Sequence, residues 1–83
     1  KLTLGEKLVL GRAPEAGVTV SGNGLSRFHC QLEYTSRGLT AVDLGSTNGT
    51  WIGRKRIEAP TQLARRTGLR LGKTRLALRW QGG

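Results

Sequence analysis

The spacing of apolar residues is the strongest constraint on how this chain can fold. From residue 28 to residue 34 apolar and polar side chains alternate, in the order Phe28, His29, Cys30, Gln31, Leu32, Glu33 and Tyr34. Successive side chains of a strand point to opposite faces, so this period of two predicts a strand with one face toward a core. Apolar residues do not recur convincingly at helical spacing anywhere in the sequence.

Further short runs of the same kind are separated by turn residues. They cover residues 1–4, 7–11, 18–20, 39–44, 51–57, 69–71 and 76–80. The run 51–57 predicts a hairpin whose first turn residue, Gly53, suits a type II′ turn. Many short strands with frequent turns predict an all-β sandwich or barrel. The 83 residues are enough for one domain, which we take as residues 1–83.

The alternation also predicts which side chains form the core. The expected core residues are Cys30, Leu32, Val42, Leu69, Leu71, Leu76 and Leu78. Phe28 and Trp80 are less clearly assigned by their position in the pattern. Trp51 directly follows a polar loop, and we expect it to pack under that loop.

Three polar segments stand out between the strands. The longest is the loop 43–50, which contains three hydroxyl side chains, one carboxamide and two glycines. The others are Gly11-Arg12 and the segment 26–29, Ser-Arg-Phe-His, which supply guanidinium groups and another hydroxyl. Such side chains present hydrogen-bonding groups and positive charge, and glycines let a backbone turn or approach closely.

Charge and composition limit the classes of function. Fourteen basic residues face five acidic ones, so the net charge is +9 and phosphates, nucleic acid or acidic proteins are the expected partners. The single cysteine cannot form an internal disulfide, which favours a reducing, cytoplasmic setting. No apolar run approaches 18 residues, so membrane insertion is not expected. The chain starts at Lys1 without a signal-peptide pattern, and we interpret it as one module of a larger, multidomain protein.

Catalytic, metal and cofactor sites are poorly supported by the sequence. One histidine and five scattered acids leave few ways to assemble a general acid and base. Cys30 follows His29 directly, so on a shared strand their side chains would point to opposite faces and could not hold one metal ion. The segment 68–74 resembles a phosphate-binding P-loop but has three residues between its glycines instead of four. We therefore expect no enzyme, no metal and no cofactor.

The three polar segments together resemble the signature of the forkhead-associated (FHA) domain. Their order and spacing match over nearly the whole chain, although each segment alone is a common pattern. The resemblance implies a β-sandwich of about eleven short strands whose loops at one end bind phosphothreonine in a partner protein. The expected function is a phosphothreonine-dependent protein interaction module in signal transduction.

The resemblance also implies roles for individual residues. Arg12 and Ser26 would contact the phosphate, Arg27 and Thr47 would assist them, and Asn48 would hold the partner backbone. A second group would support the site without touching the ligand, namely Gly11, His29 and Gly49. Physical chemistry agrees with these roles, because phosphothreonine brings about −1.5 to −2 charges and three acceptor oxygens that suit arginine forks and hydroxyl donors.

Interpretations without a binding role stay open for the same residues. Arg12 and Arg27 could be solvated surface arginines, Ser26 could cap a turn, and Thr47 and Asn48 could be ordinary turn formers. Two other functions also remain, namely nucleic-acid or acidic-surface binding through a basic face and a scaffold role without phosphate. Nucleic acid is the less expected partner, since the chain has four aromatic residues and no base-reading motif. The arginine excess is typical of GC-rich bacterial genomes, and we expect a monomer.

Overall fold

The computed structural model describes residues 4–81, which form nine β-strands. The strands are β1 Lys7–Gly11, β2 Val18–Thr19, β3 Cys30–Thr35, β4 Gly38–Asp43, β5 Thr50–Ile52, β6 Lys55–Arg56, β7 Thr61–Gln62, β8 Arg66–Leu71 and β9 Thr74–Arg79. Among these residues there is no helix long and apolar enough to cross a membrane.

Two sheets make up the fold and confirm the predicted all-β sandwich. One has the strand order β2-β1-β3-β4-β7 and the other the order β6-β5-β8-β9. The prediction of about eleven strands is wrong for the described residues, which form nine. The segments that connect these strands do not pair into further ladders. The predicted strand 1–4 falls mostly outside the described residues, and Leu4 lies in a turn.

Tight turns join the paired strands at the predicted places. In the β5–β6 hairpin Ile52 pairs with Lys55, and Gly53 has a φ of +60°. Arg54 has a negative φ. The turn is therefore of type II′, since type I′ requires a positive φ at both central residues. Gly72 has a φ of +62° in the turn between β8 and β9, where Leu71 pairs with Thr74.

The core lies between the sheets, and four of the seven predicted residues belong to its buried cluster. Cys30, Leu32, Leu69 and Leu71 are buried. Leu10, Leu25, Leu39, Ala41, Ile57 and Leu63 complete the buried cluster. Leu76 and Leu78 are half-buried and pack against this cluster, because β9 is an edge strand.

The prediction for Val42 is wrong. In β4 the inward face carries Leu39 and Ala41, which are 5% and 0% exposed, whereas Val42 is half-buried on the opposite face. The period of two therefore holds in this strand. The prediction assigned the inward position to the wrong phase of this alternation, and a shift of one residue exchanges the two faces of a strand.

The start of the predicted strand at residue 28 is also wrong. The ladder of β3 begins at Cys30, and the bend before it leaves Phe28 44% exposed while His29 is fully buried. His29 thus lies outside the strand that begins at Cys30, and both side chains are buried. Trp80 is half-buried, donates its indole N–H to the Ala64 carbonyl at 2.8 Å and meets the Tyr34 ring edge-on.

Cys30 provides a direct test of core integrity. Burial raises the pKa of its thiol to about 11, and its side chain is 0% exposed, so a thiol reagent at about pH 8 finds almost no thiolate. We expect labelling by a disulfide reagent to be at least about 100-fold slower in the native protein than in urea. Equal rates in the two conditions would show that the residue is accessible in the fold.

Candidate functional site

Two loops meet through their backbones at one end of the sandwich. The Arg12 N–H donates to the Ser26 carbonyl at 3.0 Å, and the Ala13 N–H donates to the Arg27 carbonyl at 3.0 Å. A Cβ at Gly11 would overlap the Arg27 carbonyl oxygen, so a side chain there would separate the loops. Glycine at this position is therefore required by close approach of two backbones and not by its own dihedral angle.

His29 connects the 26–28 segment to the 43–50 loop from within the fold. Its Nδ1 accepts the Ser26 N–H at 3.1 Å, and its Nε2 lies 2.8 Å from the Gly49 carbonyl. A backbone N–H can only donate and a carbonyl can only accept, so the ring is the neutral tautomer with its proton on Nε2. The fully buried ring thereby makes one hydrogen bond to a backbone group of each loop.

Asp43 organises the loop that follows β4. Its Oδ2 accepts the N–H groups of Gly45 and Ser46 at 3.1 and 3.0 Å. Its Oδ1 accepts the hydroxyls of Ser46 and Thr50 at 2.6 and 2.7 Å. Burial tends to raise the pKa of Asp43, but the hydrogen bonds from Ser46 and Thr50 outweigh it and hold that pKa below its ordinary value. One carboxylate thus closes the loop at both of its ends.

Gly49 completes the loop in a conformation that favours glycine. Its φ is +84°, and a Cβ there would lie 2.6 Å from Arg56 Nε and 3.0 Å from Trp51 Nε1. Its N–H donates to Ser46 Oγ at 3.0 Å, and its carbonyl accepts a second bond from the Gly72 N–H at 2.8 Å. The position therefore needs both the unusual φ and the missing side chain.

The five residues predicted to bind phosphopeptide line one open depression. Arg12, Ser26, Arg27, Thr47 and Asn48 come from three separate segments and border a space of about 510 Å³. The depression is open to solvent and is not a closed cavity. Phe28, Gly24 and Leu25 complete its lining.

Hydrogen bonds position the polar side chains of this depression and leave part of their capacity free. Ser26 Oγ accepts the Thr47 N–H at 3.1 Å, so its own hydroxyl hydrogen can still donate. Arg12 Nε donates to the Leu25 carbonyl at 3.3 Å, which leaves the two terminal nitrogens of its fork for a ligand. Asn48 Nδ2 donates one hydrogen to the Gly24 carbonyl at 3.1 Å.

Arg27 already has a carboxylate partner. Its Nη2 lies 3.2 Å from Glu15 Oε2, and both side chains are more than half exposed. Exposed ion pairs of this kind contribute little, about 0–1 kcal/mol. The pairing therefore competes with an incoming anion only weakly. It was not predicted from the sequence, because Glu15 lies twelve residues away from Arg27.

Two supporting residues were missing from the sequence-based assignment. Asp43 and Ser46 hold the 43–50 loop, yet the roles assigned in this loop were limited to Thr47, Asn48 and Gly49. The available signal was an aspartate at the end of a strand followed by Gly-Ser, the pattern of a side chain that accepts N–H groups two and three residues ahead. Among residues 4–81 no group of three or more His, Cys, Asp and Glu side chains could hold a metal ion.

The role of Asp43 can be tested by replacing its carboxylate with the neutral amide of asparagine. Asp43→Asn should lower the free energy of unfolding by about 2–3 kcal/mol at neutral pH, because hydrogen bonds to a charged acceptor contribute about 1.5–3 kcal/mol. The folded pKa lies below the unfolded one, so this stability is present above about pH 4 and is lost as the pH falls through the folded pKa.

Urea titration followed by tryptophan fluorescence measures this difference. Between the wild type and Asp43→Asn the difference should be constant from about pH 5 to 7 and should shrink below about pH 4. Glu58→Gln removes an exposed carboxylate outside the loop and serves as the matched control. Equal stability of the two variants at pH 7 would contradict the role assigned to Asp43.

Comparison with known proteins assigns the sequence and the fold to one family. The family model for the FHA domain matches residues 8–72. The FHA domain-containing protein FhaB of Mycobacterium tuberculosis is 34% identical over 80 residues, which cover 95% of this chain and 52% of FhaB. The chain thus spans about half the length of the curated relatives it matches.

Solved structures give the same result. One, from a structural and functional analysis of phosphothreonine-dependent FHA domain interactions, is 28% identical with a TM-score of 0.84 and covers 98% of this chain and 82% of its own. The FhaA FHA domain, crystallised with the intracellular domain of Rv3910, is 29% identical with a TM-score of 0.77 and covers 90% and 80%. By the family model, the relatives and the shared sandwich, this chain belongs to the forkhead-associated domain family.

Proposed function

We propose that this domain is a phosphothreonine-dependent interaction module that binds a Thr-phosphorylated segment of a partner protein. The observation that carries the proposal is the convergence of Arg12, Ser26, Arg27, Thr47 and Asn48 on one open depression. Cationic forks, hydroxyl donors and a carboxamide are the groups that a phosphate and an adjacent peptide backbone need. The similarity to a structure studied for phosphothreonine-dependent FHA interactions supports the same ligand.

Arg12 and Ser26 are the central phosphate contacts in this proposal. The terminal nitrogens of Arg12 can engage two phosphate oxygens, and the bond from Nε to the Leu25 carbonyl limits the motion of the side chain. The Ser26 hydroxyl can donate to a third oxygen, because accepting the Thr47 N–H leaves its own hydrogen free. Two fixed donors of different shape then read a tetrahedral group more selectively than charge alone would.

Arg27 and Thr47 have secondary roles. Arg27 exchanges Glu15 for the phosphate, with a small net gain because the existing ion pair is exposed. The exposed side chain of Thr47 offers a further hydroxyl beside Ser26. Each of these contacts strengthens binding but neither defines the position of the phosphate.

Asn48 holds the partner backbone next to the phosphothreonine. One amide hydrogen is bound to the Gly24 carbonyl, so Oδ1 and the second hydrogen are available to a peptide N–H and C=O. Contacts of this type do not depend on the partner's side chains. Gly11, His29 and Gly49 support the site from below through the backbone approach and hydrogen bonds described above.

The domain carries out this role as one part of a longer signalling protein. It spans about half of FhaB, and its matched family is an interaction domain rather than a catalytic one. We therefore assign it binding without chemistry, with the phosphate added to the partner by a separate kinase.

The phosphate contacts can be tested with a degenerate phosphothreonine peptide library and its unphosphorylated twin. Arg12→Ala and Ser26→Ala should each weaken binding of the phosphorylated set by about 10- to 100-fold, the range expected when hydrogen bonds to a charged group are lost. Unfolding by urea should change little for either variant. Calorimetry or fluorescence anisotropy at about 0.15 M salt measures both peptide sets.

Arg37→Ala is the matched control, because Arg37 is exposed in the β3–β4 turn and its loss changes the net charge as Arg12→Ala does. This control should bind phosphopeptides as the wild type does. Equal affinity of the wild type for phosphorylated and unphosphorylated peptides would reject the proposed function.

Glu15 gives a second test of the same site. Glu15→Gln releases Arg27, and we expect it to tighten phosphopeptide binding by about two- to fivefold, in keeping with the small energy of an exposed pair. Glu58→Gln makes the same change of charge away from the depression and should have less effect. In an Arg27→Gln background the gain from Glu15→Gln should disappear, and a gain that persists there would contradict a direct competition.

A further inference from the structure

A row of basic side chains crosses the outer face of the β6-β5-β8-β9 sheet. Register pairs Arg56 with Trp51, Trp51 with Arg70, and Arg70 with Arg75, so one residue from each strand lies in line. Directly paired residues point to the same face of a sheet. The row therefore places three arginines and one tryptophan side by side across four strands.

A second basic pair lies farther along the same face. Arg66 pairs with Arg79, and the exposed Gly68 and Ala77 lie between this pair and the first row. A Cβ at Gly68 would meet no atom within 4 Å, so no large side chain covers the centre of the face between the arginines. We call this surface, Arg56, Trp51, Arg70, Arg75, Arg66 and Arg79, the arginine face.

The arginine face has no carboxylate of its own. Within residues 4–81 the one ion pair shorter than 4.0 Å joins Arg27 to Glu15, at the other loops of the molecule. The five acidic residues of the chain all lie outside β8 and β9. Five like charges on one sheet face repel each other, and an external anion would relieve this repulsion.

The arginine face is continuous with the proposed phosphopeptide site. The Trp51 indole N–H donates to the Asn48 carbonyl at 3.0 Å. The Arg70 and Arg56 guanidinium carbons lie 4.8 and 6.0 Å from the centre of the same tryptophan ring. A peptide held by Asn48 that runs along the surface over Trp51 thus meets these arginines next.

We propose that the arginine face is a second docking surface for a carboxylate-rich stretch of the same phosphorylated partner. This inference rests on the proposed function, since Asn48 and its neighbours hold the phosphothreonine end. Crossing four strands covers about 15 Å, which is the length of four or five extended residues. The acidic residues therefore lie about three to seven positions from the phosphothreonine.

Other polyanions fit this surface less well. A single-stranded nucleic acid needs free aromatic rings for stacking, but the ring of Trp51 is already covered by Arg70. A membrane surface favours apolar side chains among the cations, and the large exposed apolar residues of the described chain, Leu4, Val18, Phe28 and Leu44, lie outside this sheet. Arginine forks without such partners suit carboxylates.

The test compares three phosphothreonine peptides that differ only in their flanks. One has neutral flanks, one has glutamates at the third to sixth positions before the phosphothreonine, and one has them after it. In the wild type at about 0.15 M salt, one acidic peptide should bind about five- to tenfold more tightly than the neutral peptide, the sum of several exposed charge pairs.

Two double variants that lose the same charge show which surface is responsible for the tighter binding of the acidic peptide. Arg70→Gln with Arg75→Gln should abolish it, and Lys7→Gln with Arg37→Gln, on β1 and the β3–β4 turn, should keep it. Arg75→Gln alone, which leaves the arginine stacking on Trp51 in place, should remove part of the gain. All of these proteins should bind the neutral phosphopeptide equally.

The results separate the two proposals. Absence of any gain from acidic flanks, or the same gain in the Arg70–Arg75 double variant, overturns the docking surface while the neutral phosphopeptide still reports on the phosphate site. If no peptide shows phosphate dependence, the proposed function fails. The unphosphorylated acidic peptide then decides whether the face still binds carboxylates, by binding the wild type and not the double variant. Tighter binding of a random DNA duplex, removed by the same double variant, overturns the choice of a carboxylate partner.

Discussion

The hydrogen bonds of the buried His29 ring are the interaction on which the rest of the site depends. The ring accepts from Ser26, three residues before it, and donates to Gly49, 20 residues after it, so it fixes the distance between the two loops. A buried polar ring with both nitrogens satisfied strongly specifies its surroundings, because any shift leaves a desolvated group unpaired. The position of Ser26 at the surface is therefore set by packing inside the sandwich.

Asp43 complements this arrangement from the other end of the same loop. His29 holds the loop to its neighbour, whereas Asp43 holds the loop to itself through four hydrogen bonds that leave little freedom between β4 and β5. A surface prepared in this way loses less conformational entropy on binding than a mobile loop would. The exposed residues at the tip can thus be few and small and still define a binding geometry.

Sequence reasoning reached the architecture because a period of two survives in the strands that carry the core. It failed where local pattern and tertiary packing disagree, as at His29, which alternation assigned to a polar face but which the bend before β3 buries. The error at Val42 is of another kind, because the period of two holds in that strand and the prediction took the wrong phase of it. The contacts of Asp43 are local and follow a recognisable turn pattern, so the sequence could have predicted them. The contact of Glu15 could not be predicted, because no spacing in the chain encodes the distance between Arg27 and Glu15.

The two basic regions differ in how their charges are arranged, and the two proposals assign them different tasks accordingly. In the depression a guanidinium, a hydroxyl and an amide come from three segments and meet at one place, so they can recognise a tetrahedral group by shape. On the arginine face the cations lie in rows at strand spacing and do not converge, so they can attract negative charge without reading its geometry. Convergent donors give discrimination, and aligned cations give attraction and faster encounter. Trp51 touches both regions and therefore lies where the two contributions can act on a single bound chain.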